Sequence, residues 1–183
     1  MEPKKIILGI DPGTVILGYG LIDISGKQPA LVTMGVLRLS RVGDPLGRLG
    51  TIFEKVSSLI DEHQPVAVAI EAPFYGKNIQ SMLKLGRAQG VALAAAITKG
   101  LAVHEYAPRK IKQSITGNGN ASKEQVSVMV QQILKHKEGN DLLDATDAVA
   151  VALCHYFQSP ATAASPGPRN WEEFIRKNPG RVR

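Results

Sequence analysis

Four carboxylates in this chain stand where their side chains could do chemistry. Asp11 closes the run Lys5-Ile6-Ile7-Leu8-Gly9-Ile10, and Glu71 closes a second run, Val66-Ala67-Val68-Ala69-Ile70. Asp144 and Asp147 lie three residues apart in Asp141-Leu-Leu-Asp-Ala-Thr-Asp-Ala-Val-Ala. An acid at the tip of a buried strand is costly unless it is paired, protonated or bound to a cation. Here it happens twice in a chain of net charge +6, which points to a divalent-metal site acting on a polyanion. Magnesium and manganese prefer oxygen ligands, so a carboxylate cluster suits them better than zinc. Two such ions, ~3.5–4 Å apart, can activate a water and stabilise the leaving oxygen of a phosphodiester.

Each acid also has a plainer reading. Asp144 and Asp147 fall in the first turns of an expected helix, where the N-terminal dipole stabilises carboxylates without any metal. Asp11, in Asp-Pro-Gly, fits a turn. Glu71 is harder to dismiss, because it follows a strand that is apolar on both faces. The conjunction of the four carries the argument. Asp141 is the expected helix N-cap, off the shared face, and stays outside the site.

The elements that must position these groups can be read from hydropathy patterning. Residues 5–11, 17–24 and 30–38 read as strands joined by short turns, an antiparallel meander. Leu46, Leu49, Ile52, Phe53, Val56 and Leu59 recur at helical spacing over 45–63, and 66–70 is a fourth strand. A helix over 78–98 is expected to use Ile79, Met82, Leu83, Leu85 and Val91 as its apolar face. Gly86, Gly90 and Ala94 form a small-residue stripe on it, fit for close packing on the chain's own sheet or on a second copy. Residues 101–106 give a fifth strand, Ser122 and Gln125 a capping box, and 142–157 a last helix. The fold class is therefore α/β, a mixed five-stranded sheet of three antiparallel strands followed by two parallel ones, flanked by helices. Parallel neighbours end on one sheet edge, so Asp11 and Glu71 should meet there, with the Asp144–Asp147 face beside them.

Bulk properties narrow the class. The chain has 183 residues, 44% hydrophobic and 21% charged, which suits one ordinary globular domain. The domain is expected over 1–158, and the Pro/Ala/Ser-rich, basic segment 159–183 as a flexible tail. No apolar stretch approaches the length of a membrane span, and the start of the chain reads as a strand and not as a signal peptide. The single cysteine, Cys154, agrees with a reducing cytoplasm. His63, His104, His136 and His155 lack zinc-ligand spacing.

Several segments resemble the RuvC-type Holliday junction resolvases. They are Ile7-Leu-Gly-Ile-Asp-Pro-Gly-Thr with Gly18-Tyr-Gly, Ala69-Ile-Glu-Ala-Pro-Phe-Tyr-Gly-Lys-Asn78, Leu83-Lys-Leu-Gly-Arg-Ala-Gln-Gly-Val91 and Asp144-Ala-Thr-Asp-Ala-Val-Ala-Val-Ala152. In order, they cover roughly residues 4–157, which is far more specific than one motif. The resemblance implies a ribonuclease H-like fold and a magnesium-dependent homodimer that makes paired nicks in a four-way DNA junction. Those nicks would leave 5′-phosphate and 3′-hydroxyl ends, in recombination and repair. It implies Asp11, Glu71, Asp144 and Asp147 as catalytic metal ligands for two Mg²⁺ ions, with Mn²⁺ able to substitute. Some relatives carry a histidine at the position of Asp144, so general acid–base chemistry stays open for it. Phe74 matches an aromatic that stacks on a junction base, or is an ordinary core phenylalanine. Lys112 and Lys123 match basic residues near the reacting phosphate. Arg109 and Lys110 extend that basic segment, while Lys77, Lys84 and Arg87 could follow the DNA backbone. Branch-migration motor proteins are the expected protein partners.

Two rival readings remain. Asp11-Pro-Gly-Thr14 resembles the phosphate loop of actin-like ATP-binding enzymes, but a second lobe with its own Asp-Gly motif is not expected here. A junction-binding module without catalysis would not need all four acids.

Overall fold

The computed structural model describes residues 4–73, 78–135 and 143–159. Its centre is β1 (Ile6–Asp11), in a sheet ordered β3-β2-β1-β4-β5 with β2 (Ile16–Asp23), β3 (Ala30–Arg38), β4 (Ala67–Glu71) and β5 (Ala102–Tyr106). β1–β2 and β2–β3 pair antiparallel, because short turns allow nothing else. β1–β4 and β4–β5 pair parallel, across crossovers that contain α1 (Pro45–His63) and α2 (Ile79–Thr98). This is the expected ribonuclease H-like mixed sheet.

Side-chain parity along the strands divides the interior into two cores. Ile6, Leu8 and Ile10 face α1 and α2, packing with Ile52, Val56, Leu59, Ala88 and Ala92. Ile7 and Ala69 face the other way, toward α3 (Pro108–Thr116), α4 (Lys123–Leu134) and α5 (Leu143–Gln158). α5 lies directly on β1 and β2, and every residue from Ala148 to His155 is buried. Such close seating needs glycine on the sheet. A Cβ at Gly9 would run into the Ala148 carbonyl, and one at Gly18 into the Asp144 carbonyl.

Local signals set the helix ends. Asp44 caps α1, accepting from the Leu46 and Gly47 N–H groups at 3.2 and 2.7 Å, with Pro45 at the first position. The Ser122–Gln125 capping box is formed in both directions at the start of α4.

Two expectations need correction, and one helix lies outside them. On α1, Leu46 and Phe53 are 70% and 40% exposed, and the buried face runs through Ile52, Val56, Leu59 and Ile60. On α2, Ile79 and Leu83 are 71% and 55% exposed, while Ala88, Ala92, Ala95 and Ala96 face the core. α2 packs chiefly against α1 and meets the sheet mainly at β5, so methyl groups fill that close helix–helix contact and larger side chains are turned out. α3 has no counterpart among the expected elements, being short and polar overall with only Ile111 and Ile115 of its nine residues buried. Its signals are Pro108 at the first position and Gly117 just past the end at φ 75°. Among the described residues, no helix is long and apolar enough to cross a membrane.

Candidate active site

Register and parity decide where the acids go. Ile10 pairs with Ile70 across the parallel β1–β4 ladder, so Asp11 and Glu71 are the next residues on neighbouring strands. Asp11 shares the parity of Ile7 and Gly9, and Glu71 that of Ala69, which turns both side chains toward α5. Gly18 is the ladder partner of Asp11 on β2, and it is at Gly18 that the Asp144 backbone rests on the sheet. The first turn of α5 is thereby delivered to the end of β1. Carboxylate oxygens of Asp11, Asp144 and Asp147 lie within 4.8 Å of one another.

Glu71 is outside that closest group but lines the same cleft of about 320 Å³, with Asp11, Lys112, Lys123 and Asp147. Pro108, Ile111, Val126 and Ala150 complete its walls. These apolar neighbours are the functional residues that the sequence does not single out. Ile111 sits just before Lys112 and Val126 one turn after Lys123, so the position of the two lysines is the available signal.

The electrostatics follow from burial. Desolvation first, then the charge of Asp147, lifts the Asp11 carboxyl to about 7. Desolvation, then the charge of Asp11, lifts Glu71 to about 8. Asp147 is raised too by burial, although Lys123 opposes the rise. The Lys123 ammonium donates to Asp147 Oδ2 at 2.6 Å and lies 3.6 Å from Asp144 Oδ1. Burial alone would lower its pKa, yet the net shift is upward, because of that bond and the charges of Asp147, Asp11 and Asp144. Two lysines, Lys112 and Lys123, facing four acids leave the cluster short of positive charge. The donor set is all hard oxygen, so the residues fit a divalent cation of the magnesium or manganese type.

The other candidates fall in different places. Lys112 joins the cleft. Arg109 is exposed and covers Gly119 in the loop before α4, where a Cβ would strike its aliphatic chain, so it does not line the cleft. Lys84 and Arg87 lie on α2 beside a separate cavity. Phe74, Lys77, Asp141 and the segment from 160 onward lie outside the described residues. Gly86 and Gly90 face open space: an added Cβ would meet nothing within 4 Å. The small-residue stripe therefore does not serve packing on the chain's own sheet.

Comparison with known proteins places these features in context. A sequence model described as "Crossover junction endodeoxyribonuclease RuvC" matches residues 7–155. A protein of that name from Cytophaga hutchinsonii is 57% identical, over 98% of this chain and 88% of the relative. Another from Porphyromonas gingivalis is 51% identical over the full length of both. Among solved structures, Thermus thermophilus RuvC in complex with Holliday junction substrate superposes with a TM-score of 0.79 at 34% identity. That match covers 86% of this chain and 95% of the other.

Proposed function

The chain belongs to the RuvC family of crossover junction endodeoxyribonucleases, and on that premise we propose that the cleft between β1, β4 and α5 cuts four-way DNA junctions with the help of divalent cations. One observation carries this reading. Carboxylates more than 130 residues apart in sequence converge within 4.8 Å at one sheet edge, with a lysine hydrogen-bonded into them. An ATP-binding or silent junction-binding role would leave that convergence without a purpose.

Asp11, Asp144 and Asp147 would hold one ion, and Asp11 with Glu71 would hold a second, magnesium being the natural choice. When bound, such ions polarise an attacking water and neutralise charge on the departing 3′ oxygen. The chain's own residues do the rest. α5, buried along most of its length, fixes Asp144 and Asp147 rigidly against β1. Ile111, Val126 and Ala150 thin the water around the acids and strengthen every charge interaction there. Lys123 can pass from Asp147 to a non-bridging oxygen of the scissile phosphate, and Lys112 adds a second positive charge in the same cleft. Hydrolysis forms a bond from water oxygen to phosphorus and breaks the bond to the 3′ oxygen. The ends are a 5′-phosphate and a 3′-hydroxyl.

Two cuts are needed to resolve a junction, so we assign the working unit as a homodimer. Ile79, Leu83 and Ile97 are 71%, 55% and 62% exposed along α2, beside the open faces of Gly86 and Gly90. Such a stripe supports a helix–helix seam between two copies. Phe74 and Lys77 are assigned to the junction, the enzyme to the cytoplasm, residues 1–158 to the nuclease domain, and branch-migration motors to its protein partners. A labelled junction and a matching linear duplex, incubated with magnesium, manganese or chelator, test the core of this. Paired, cation-dependent cuts in the junction alone are expected, while cation-independent cutting or equal cutting of the duplex would refute it.

A further inference from the structure

On the opposite face of the sheet from the acids lies a cavity of about 400 Å³ between the first turns of α1 and the N-terminal half of α2. Its floor is apolar: Leu39, Ile52 and Ala88 are all at most 1% exposed. Its mouth carries Val15 and Leu46, which are 53% and 70% exposed. Arg48, Lys84 and Arg87 stand around it, and no carboxylate among the described residues lines it. Lys84 and Arg87 are exposed, lie one turn apart on α2, and have no hydrogen bond or ion pair with the described residues.

The cavity is tied to the catalytic edge. Thr14 and Val15 belong to the turn that follows Asp11, and they form part of its wall. Arg48 Nε donates to the Val42 carbonyl at 2.7 Å and Nη1 to the Thr14 carbonyl at 3.4 Å. A guanidinium has five donors, so Arg48 anchors the turn after Asp11 and still faces the cavity with hydrogen-bonding capacity.

Three cations without an acid call for an anion. The apolar floor and mouth call for something besides a bare phosphate, and the volume belongs to the class that holds small ligands. A nucleotide supplies both parts, a flat apolar base and a phosphate, and guanidinium planes also stack on bases. At the point where strands exchange, a four-way junction can offer bases free of their partners. We propose that this cavity is a second nucleotide subsite, which takes an unpaired nucleotide of the junction with its base over Leu39 and Ile52 and its phosphate on Lys84 and Arg87. The inference rests on the nuclease reading above. A second copy of the chain is the weaker occupant, since a two-fold contact centred here would oppose the three cations to their own duplicates.

The test uses full-length protein and junctions with 4-thiothymine at each position around the exchange point. After irradiation, cross-links are mapped by mass spectrometry, and junction affinity is measured for wild type, Lys84→Glu and Leu46→Glu. Both positions are exposed, and a carboxylate in the first turn of α1 is favourable to the helix, so the fold is kept. The expected results are a base cross-link to Thr14–Val15 or to the segment around Leu46–Leu49, and roughly tenfold weaker junction binding in each variant, or about 1.4 kcal/mol. Unchanged affinity in both variants, or cross-links confined to other segments, overturns the subsite. Loss of the dimer in both variants also overturns it, by making the surface a subunit contact. Wild-type cleavage is read from the same samples. Failure to cut the junction at all sinks the nuclease reading, whereas cutting with unaltered variant affinity sinks only the subsite.

Discussion

Emptying the acid cluster of protons should govern how tightly it binds a divalent cation. Asp11 at about 7 and Glu71 at about 8 are both largely protonated in the cation-free protein at pH 6. Cation binding requires both ionised. At pH 7 the expected release is about 0.5 proton from Asp11 and about 0.9 from Glu71, or about 1.4 from these two. Between pH 6 and 8 the affinity should rise about tenfold through Asp11 and about fiftyfold through Glu71, roughly 500-fold together. Titration calorimetry with manganese, in buffers of different ionisation enthalpy and without DNA, reads both quantities. Glu71→Gln should reduce the release at pH 7 to about half a proton and the pH gain to about tenfold. The stability of the cation-free protein carries the opposite sign. Both folded pKa values lie above their ordinary values of 3.8 and 4.5, so this contribution is full below those values and is lost as pH rises through about 7 and 8. Cation affinity independent of pH, with no proton release, would refute the reasoning.

Three further outcomes follow from the geometry. Lys123→Met removes the ammonium at 2.6 Å from Asp147, and should cut junction cleavage ~10²–10³-fold at saturating DNA. Single-turnover rates beside binding isotherms check whether affinity stays within a few-fold. Gly18→Ala pushes a methyl into the Asp144 carbonyl, which should cost about 1–3 kcal/mol in urea unfolding and lower cleavage by more than that loss of folded protein explains. Removing residues 159–183 should flatten the dependence of log affinity on log salt, since each phosphate the tail no longer neutralises changes the slope by about 0.9; an unchanged slope would show that the basic tail stays off the DNA.

The site is legible in the sequence because its members end apolar strands or share a helix turn. Asp11 and Glu71 are read from Ile10 and Ile70, and the ladder between those two residues is what brings them together. The strand order is legible for a similar reason, since short turns force a meander and long crossovers force parallel neighbours. Hydropathy fails where packing distance matters. Ile79 and Leu83 look like a core face, but α2 lies close against α1, and alanines take the buried side. α3 is hidden because it is short and polar overall, with only two buried isoleucines in nine residues, although proline and glycine mark both its ends. The cavity beside Arg48 is invisible in the sequence, being assembled from α1, α2 and the turn after β1.

The most direct measurement compares Glu71→Gln with wild type on one labelled four-way junction in magnesium, following binding and cutting in the same samples. The account predicts junction affinity within about threefold of wild type, with paired cleavage reduced at least ~10³-fold, because the loss falls on the chemical step. Cutting near the wild-type rate would contradict the carboxylate-cluster mechanism. Binding lost in step with cleavage would make Glu71 a structural residue of the fold.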